Sequence, residues 1–366
     1  MRILYDHQVF SLQNAGGISR YHFELASRLS HYSDVEVDTY LGLNQTVYPF
    51  EASWSPRSRT LGWNTRIQPG IPRYALNELL TGARSLFGGK WDIYHPTLYR
   101  RMPSVRCRRV VVTHHDCIHE YFPENFDDVQ HVLDAKRKLY AAADFIICVS
   151  ESSRNDLLHF YGVERNRTSV IYHGVTNLVR NTHVSSRFIA RLNRPYLLYV
   201  GSRVSYKNFG GLLKAYASGG FSEDYDLVVA GGGNFSASEE SEIAQLGLTR
   251  FVIHSGVVSE SELADAYAEA RLFVYPSLYE GFGFPPLEAM RLGCPVLAAR
   301  CSSIPEVCGS AAIYFDPATP GDLEKVMRNA LNNSHLPDQV KQGIETASRY
   351  SWETCASRTL SLYRSL

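Results

Sequence analysis

The stretch LFVYPSLYEGFGFPPLEAMRLGCPVLAAR, residues 272–300, decides the fold. Its first four residues, Leu272–Tyr275, are apolar and β-prone, and a proline stops them, which is typical of a buried strand. Prolines in the first turn then predict a helix from about Pro285 to about Arg291. A second apolar strand is predicted at Val296–Ala299. Strand, loop, helix and strand follow one another, as in a parallel α/β sheet.

Two carboxylates flank the glycine-rich part of this stretch. Glu280 lies on the loop after the first strand, and Glu288 lies in the predicted helix. Between them the glycines of Gly281-Phe282-Gly283 allow a ligand to approach the backbone closely. Free N–H groups at a helix start attract anionic or hydroxyl-rich ligands. An ordinary acidic helix start would also favour these residue types. The pair together with the loop favours a ligand site, because ligands bind beyond the carboxyl ends of such strands.

The segment EGFGFPPLE, residues 280–288, resembles the signature of the family 4 retaining glycosyltransferases, in which seven residues separate two glutamates. This resemblance implies two Rossmann-like domains facing a central cleft, the GT-B fold. It implies that Glu280 orients a donor sugar, that Glu288 binds the ribose of the nucleotide, and that residues 281–283 line the donor site. It also implies transfer with retention of configuration.

Strands and helices alternate regularly in the second half of the chain. Alternating elements of these lengths predict a doubly wound parallel sheet, so the fold class is α/β. The predicted strands there are Tyr196–Val200, Leu227–Ala230, Phe251–His254, Leu272–Tyr275 and Val296–Ala299. We place an N-terminal, acceptor-side domain at 1–180 and a donor domain at 195–345. A C-terminal helix at 346–366 is expected to return to the N-terminal domain, as the resemblance implies.

Two cations follow the first strand of the predicted donor domain. Arg203 and Lys207 lie in GSRVSYKN, residues 201–208. Surface cations are usually only solvated, but two at a strand end suit a diphosphate, which arginine contacts by a planar fork and lysine as a point charge. The resembling family also has two cations on this loop. Both residues are therefore predicted to bind the donor and to stabilise the departing charge.

A glycine pair follows the first strand of the chain. Gly16 and Gly17 precede an amphipathic helix, and this order is typical of a phosphate-binding turn, although the full dinucleotide pattern is missing. Alone, the pair would indicate only a turn. The segment GGISRY resembles the N-terminal glycine motif of the same family, which implies that this backbone lies near the donor diphosphate.

A cluster of titratable residues follows the predicted strand at 110–113. It contains His114, His115, Asp116, His119 and Glu120. Metal ligation is disfavoured, because no helix presents these side chains on one face. The resemblance implies that His115 lies by the donor sugar, with His114 as the alternative. The Asp-x-Asp spacing at Asp224 and Asp226 precedes a strand and is interpreted as a turn, so no metal site is predicted.

Composition limits the possible functions. The 366 residues carry no net charge and 45% are hydrophobic, which indicates a globular protein and does not favour nucleic-acid binding. No apolar run is long enough to cross a bilayer, and the N-terminus does not resemble a secretory signal. Seven cysteines without Cys-x-x-Cys spacing suggest free thiols in a cytoplasmic protein. A helix over 71–87 with arginines nearby suggests either packing on the first domain or contact with an anionic membrane.

The sequence therefore predicts a metal-independent, retaining hexosyltransferase with no cofactor other than its nucleotide-sugar co-substrate. The opening YDHQVFSLQNAGGISRY resembles enzymes that build bacterial surface polysaccharides, many of them mannosyltransferases. This favours GDP-mannose as donor and a glycan or lipid-linked acceptor. A UDP-sugar donor and a nucleotide-sugar epimerase on the same architecture are the alternatives. An NAD-dependent dehydrogenase is disfavoured because no Gly-x-Gly-x-x-Gly is complete.

Overall fold

The computed structural model describes residues 1–50, 58–64, 76–79, 90–99, 105–180, 192–256, 258–333 and 336–366. The predicted helix over 71–87 lies outside these residues, except for a helical segment at 76–79. Residues 181–191, which lie between the two predicted domains, are also outside them. In the described part of the chain, no helix is long and apolar enough to cross a membrane.

The chain forms two compact units. One contains Met1–Gly174 together with Ser351–Leu366, and the other contains Val175–Tyr350. We call them the N-terminal and C-terminal units. The sequence prediction placed the domain boundaries at 180 and 195, whereas the division between these units falls between Gly174 and Val175.

The N-terminal unit contains a seven-stranded parallel sheet in the order β3-β2-β1-β4-β5-β6-β7. Its strands are β1 Arg2–Tyr5, β2 Glu36–Asn44, β3 Arg59–Asn64, β4 Trp91–His95, β5 Cys107–His114, β6 Phe145–Cys148 and β7 Thr168–Val170. Its α-helices include α1 Gln8–Leu12, α2 Gly17–Leu29, α3 Ile118–Tyr121, α4 Val129–Ala142, α5 Glu151–Tyr161 and the C-terminal α13 Trp352–Ser365.

The C-terminal unit contains a six-stranded parallel sheet in the order β10-β9-β8-β11-β12-β13. Its strands are β8 Tyr196–Val200, β9 Asp226–Ala230, β10 Val252–His254, β11 Leu272–Tyr275, β12 Val296–Ala299 and β13 Ile313–Phe315. Its helices are α6 Phe209–Ser218, α7 Ala237–Gln245, α8 Glu260–Glu269, α9 Phe284–Arg291, α10 Ile304–Cys308, α11 Asp322–Leu331 and α12 Leu336–Ser348.

The strands that decide the fold are buried on both faces, as parallel sheets require. All four residues of β11 and all four of β12 are buried. Their side chains pack with those of α6 and α11 in the core of the C-terminal unit. The apolar runs at 272–275 and 296–299 therefore form the central strands that the sequence predicted.

The structure differs from the sequence prediction at the end of the chain. A single helix was expected from about residue 345, but α12 ends at Ser348 and α13 begins at Trp352. Ser351 causes the break, because its side chain accepts a hydrogen bond from the N–H of Thr354 and so caps a new helix. The assignment of Asp226 to a turn was also wrong. Asp226 begins β9 and pairs with Arg194 at 3.1 Å.

Candidate active site

Three loops of the C-terminal unit meet at one edge of its sheet. β8, β11 and β12 are neighbours and run parallel, so the loops after them emerge side by side. They carry Lys207, Glu280 and Ser302 respectively. Such an edge is where ligands bind in open α/β sheets. The sheet order therefore brings together residues that are up to about a hundred positions apart in sequence.

Lys207 and Glu280 form an ion pair at this edge. The Lys207 ammonium donates to Glu280 Oε1 at 2.5 Å, and the two side chains are 16% and 11% exposed. The Tyr275 hydroxyl donates to the same oxygen at 2.5 Å. Burial, and next the Glu280 carboxylate, raise the pKa of Tyr275 well above its usual value, so it stays a donor at neutral pH. Charge-assisted bonds of this kind fix the position of both groups.

The glycine loop after Glu280 leads directly into α9. Gly283 has φ +104, a left-handed conformation that side chains rarely adopt, and a Cβ there would lie 2.7 Å from Ile304 Cδ1. Only glycine satisfies both conditions. The Ser303 hydroxyl, which is fully buried, lies 2.9 Å from the carbonyls of Glu280 and Phe282. The loop is thus held in one conformation, with the first turn of α9 next to it.

Glu288 lies in α9 and is only 6% exposed. Its Oε2 accepts a hydrogen bond from the Tyr267 hydroxyl at 3.4 Å. Its predicted contact with a ribose remains a prediction.

Arg203 lies at the same edge but contacts other groups. Its guanidinium donates to Glu239 Oε1 at 2.7 Å and to the carbonyls of Gly231, Gly233 and Asn234 at 2.9, 3.0 and 2.7 Å. Its side chain is 4% exposed. Arg203 therefore supports the glycine turn after β9. Its direct contact with a diphosphate stays a prediction.

His115 lies in the N-terminal unit, directly after β5. It is buried, its N–H donates to the Tyr99 hydroxyl at 2.5 Å, and its ring lies 5.4 Å from that of Tyr21 and 5.9 Å from that of His173. Burial lowers its pKa to about 4. The side chain is therefore neutral at physiological pH. His114, the alternative, is fully buried and its Nδ1 bonds the Tyr140 hydroxyl at 2.7 Å.

Hydrogen bonds connect α13 to Tyr21, whose ring contacts His115. The Tyr363 hydroxyl lies 2.5 Å from His95 Nδ1, and His95 Nε2 lies 2.9 Å from Thr113 Oγ1. Thr113 Oγ1 also lies 2.9 Å from the Tyr21 hydroxyl. This chain of polar contacts inside the unit fixes the Tyr21 ring that faces His115.

A buried ion pair anchors the segment that carries His115. The Lys136 ammonium of α4 donates to Glu120 at 2.9 Å and to the carbonyl of Asp116 at 2.9 Å. Both ionic side chains are at most 4% exposed. Glu120 is therefore satisfied by a protein cation. In the part of the chain that the structure describes, no group of histidine, cysteine and carboxylate side chains is arranged to hold a metal ion.

Gly16 and Gly17 lie where the sequence placed them, at the start of α2. Gly16 precedes the helix and Gly17 is its first residue. A Cβ on Gly16 would lie 2.7 Å from Gln13 Oε1, the end of a flexible side chain that could move aside, so space alone does not require glycine here. Whether this backbone contacts a diphosphate remains a prediction.

Sequence reasoning missed several residues of the two regions. Ser302 and Ser303 bind the Glu280 loop, and His173 and Tyr21 lie against His115. Ser302, Ser303 and His173 follow the carboxyl ends of parallel strands. The same position after a strand indicated Glu280 in the sequence. Tyr21 lies instead on the buried face of α2 and gives no such signal.

Two parallel sheets flanked by helices, one in each unit, together with the structural neighbours given below, place the chain in the class of α/β proteins with the GT-B fold. Residues 15–176 match the model for glycosyltransferase family 4, and residues 185–346 match the model for glycosyl transferases group 1. The two matches together span most of the chain, which is therefore a glycosyltransferase of the family 4 type.

Curated relatives and solved structures agree with this assignment. The chain is 28% identical to O-antigen chain mannosyltransferase B of Escherichia coli, over 96% of each chain. It is 28% identical to O-antigen chain mannosyltransferase RfbU of Salmonella typhimurium, over 70% of this chain and 69% of that one. Sucrose-phosphate synthase from Thermosynechococcus elongatus superposes with a TM-score of 0.79 at 20% identity, covering 100% and 98% of the two chains.

The glycosyltransferase WaaG, involved in lipopolysaccharide biosynthesis, superposes with a TM-score of 0.71 at 16% identity, covering 99% of each chain. At these low identities the two structures support the fold. The two sequence relatives are themselves named as mannosyltransferases.

Proposed function

We propose that the protein transfers mannose from GDP-mannose to a glycan or lipid-linked acceptor during synthesis of a surface polysaccharide. The Lys207–Glu280 pair beside the glycine loop carries the chemical part of this proposal. A cation and a backbone loop at a sheet edge suit the diphosphate of a nucleotide-sugar, and a carboxylate suits its sugar hydroxyls. The choice of mannose follows from the relatives, of which two are named O-antigen chain mannosyltransferases.

Each residue has a proposed role in the transfer. Negative charge develops on the diphosphate as the bond to the sugar breaks, and Lys207 with the N–H groups of residues 281–283 stabilises it without a metal. Glu280 orients the sugar and Glu288 binds the ribose. Arg203, held at the glycine turn, contributes positive charge near the diphosphate. The backbone of Gly16 and Gly17 lies near the same group. Neutral His115 accepts or donates a hydrogen bond at the transferred sugar.

The transfer is proposed to retain the configuration of the anomeric carbon, as the resemblance to family 4 implies. The acceptor attacks the same face that the diphosphate leaves, and the departing diphosphate oxygen takes the acceptor's proton. Atoms and charge balance, since the products are the new glycoside and a protonated nucleoside diphosphate. No protein carboxylate is required as a nucleophile.

Transfer assays with purified protein test the proposal. The wild-type chain is incubated with GDP-mannose, UDP-glucose or UDP-N-acetylglucosamine and an α-mannosyl oligosaccharide, with and without EDTA. We expect release of GDP only from GDP-mannose, only when the acceptor is present and equally with EDTA, and an α-linked product by NMR. Sugar interconversion without acceptor would instead support the epimerase alternative. Release of UDP would show that a UDP-sugar is the donor in place of GDP-mannose.

Replacing Glu288 with alanine tests the proposed ribose contact. Ribose contacts are similar in the ground and transition states, so we expect KM for the nucleotide-sugar to rise about tenfold or more with little change in kcat. Initial rates over a range of donor concentrations measure both constants. Tyr267→Phe, which removes the hydroxyl that bonds Glu288 but leaves the carboxylate, is the matched control and should change KM less. A loss confined to kcat would contradict the ribose assignment.

A further inference from the structure

Two residues next to the Lys207–Glu280 pair have an unusual backbone conformation. Among the described residues other than glycine, Asn208 and Ser302 have positive φ, 55° and 47° respectively. This left-handed conformation is unfavourable for an L-residue, although asparagine tolerates it better. Asn208 directly follows Lys207, and Ser302 contacts the backbone of Glu280. Strained residues persist where the surrounding structure requires them, and they concentrate at functional sites.

The Ser302 side chain explains why a serine occupies a position that suits glycine. Its Oγ accepts the N–H of Glu280 at 2.9 Å. The neighbouring Ser303 hydroxyl contacts the carbonyls of Glu280 and Phe282 from the same turn. Glycine would adopt φ 47° without strain but would leave the N–H of Glu280 without this acceptor. The hydroxyl of Ser302 therefore contributes what glycine cannot.

Asn208 contributes its backbone conformation. It lies between the 3₁₀ turn Ser205–Lys207 and the first residue of α6, and its side chain forms no capping bond to that helix. A Cβ on Gly211 would lie 2.2 Å from Asn208 Oδ1, so a glycine at 211 leaves room for the side chain. The left-handed residue thus joins the 3₁₀ turn that ends at Lys207 to the start of α6.

We infer that Ser302 and Asn208 are positioning residues that hold Glu280 and Lys207 in the geometry needed at the donor diphosphate and sugar. Ser302 acts through its hydroxyl and Asn208 through its backbone. The inference rests on the proposed function, because it gives these residues importance only if the pair acts in transfer. It predicts that glycine is a poor replacement at 302 and a good one at 208.

Four variants test this difference. Ser302→Gly and Ser302→Ala should each lower kcat about tenfold while KM for the donor changes less than twofold, because misplacement of Glu280 weakens mainly the transition state. Asn208→Gly should keep kcat within twofold. Asn208→Val should lower it about tenfold, because a β-branched residue does not readily adopt positive φ. Ser348→Gly, at an exposed helix end, is the control and should behave as wild type.

Hydrogen exchange followed by mass spectrometry tests the same contact without substrate. The amide of Glu280 should exchange about tenfold faster in both Ser302 variants than in wild type and in Ser348→Gly, because its acceptor is lost. If wild type transfers no sugar from any donor, the proposed function fails, and the exchange result still decides whether Ser302 holds Glu280. Unchanged exchange would overturn the inference. Faster exchange with unchanged kcat would also overturn it, since Ser302 would then be only structural.

Discussion

Replacing Lys207 with alanine is expected to lower kcat by roughly 10²–10³-fold while the protein stays folded. The Lys207 ammonium lies 2.5 Å from Glu280 Oε1 and is the cation that the structure places directly on the proposed sugar-binding carboxylate. Its removal takes away charge that would stabilise the departing diphosphate. It also leaves Glu280 with the Tyr275 hydroxyl as its remaining described side-chain donor.

The control for Lys207→Ala lies in the following helix. The Lys214 side chain is 72% exposed and its ammonium is 3.8 Å from Glu242, so Lys214→Ala should leave turnover unchanged. Steady-state rates and thermal unfolding of both variants separate lost chemistry from lost stability. A double-mutant cycle that combines Lys207→Ala with Glu280→Gln measures the coupling energy between the two side chains. This energy should reach about 1 kcal/mol or more, because the residues are in contact. Normal turnover in Lys207→Ala would remove this lysine from the mechanism.

Acid is expected to destabilise the N-terminal unit through its buried histidines. Burial lowers the pKa of His95 to about 3 and of His115 to about 4, and it lowers the pKa values of His22, His114 and His173 well below 6.5. These side chains stay neutral in the folded unit, whereas in the unfolded chain they accept protons near pH 6.5. The free energy of unfolding is therefore highest above pH 6.5 and falls as the pH drops from 6.5 towards 4.

The size of this effect follows from linkage. Each proton that only the unfolded state binds costs up to about 1.4 kcal/mol of stability per pH unit. His95 and His115 alone should thus remove about 2 kcal/mol between pH 6 and pH 5. Urea unfolding and hydrogen exchange at pH 7.5 and 5.5 measure the loss, with the C-terminal unit as internal reference because ten of the thirteen histidines precede residue 175.

His22→Phe is the matched variant for the acid prediction. It removes one titratable group from the buried cluster and keeps an aromatic ring at that position. The loss of stability between pH 7.5 and 5.5 should therefore be smaller than in wild type. Equal protection of the N-terminal unit at the two pH values in wild type would contradict the assignment of neutral, buried histidines.

The second half of the chain was predicted well because its elements carry strong local signals. Strands such as Leu272–Tyr275 and Val296–Ala299 are short apolar runs between turn residues, and they appear with the predicted bounds. The first half was predicted less completely. The strands Glu36–Asn44, Arg59–Asn64 and Trp91–His95 were not identified, and neither was Ile313–Phe315. Polar and charged residues interrupt three of these strands, so their burial depends on neighbours that the sequence does not specify.

Arg203 shows where local reasoning stops. Its place on a loop after a strand favoured an exposed cation that binds phosphate. In the folded unit the next strand's glycine turn lies against that loop, and its carbonyls together with Glu239 occupy the guanidinium. Lys207, four residues further along, meets Glu280 instead. The sequence gives no means of dividing the partners between the two cations.

The α/β class could be predicted from the sequence alone, because apolar runs, prolines and glycines act locally. The contiguous motif EGFGFPPLE gave the resemblance to family 4 glycosyltransferases, from which the activity was expected. Only the tertiary structure decided which side chains meet. Lys207, Glu280 and Ser302 come together because β8, β11 and β12 are neighbours in the sheet. His95, His115 and His173 are neutral because folding encloses them in one core. Strand order and burial arise from contacts between distant segments, and no local pattern encodes them.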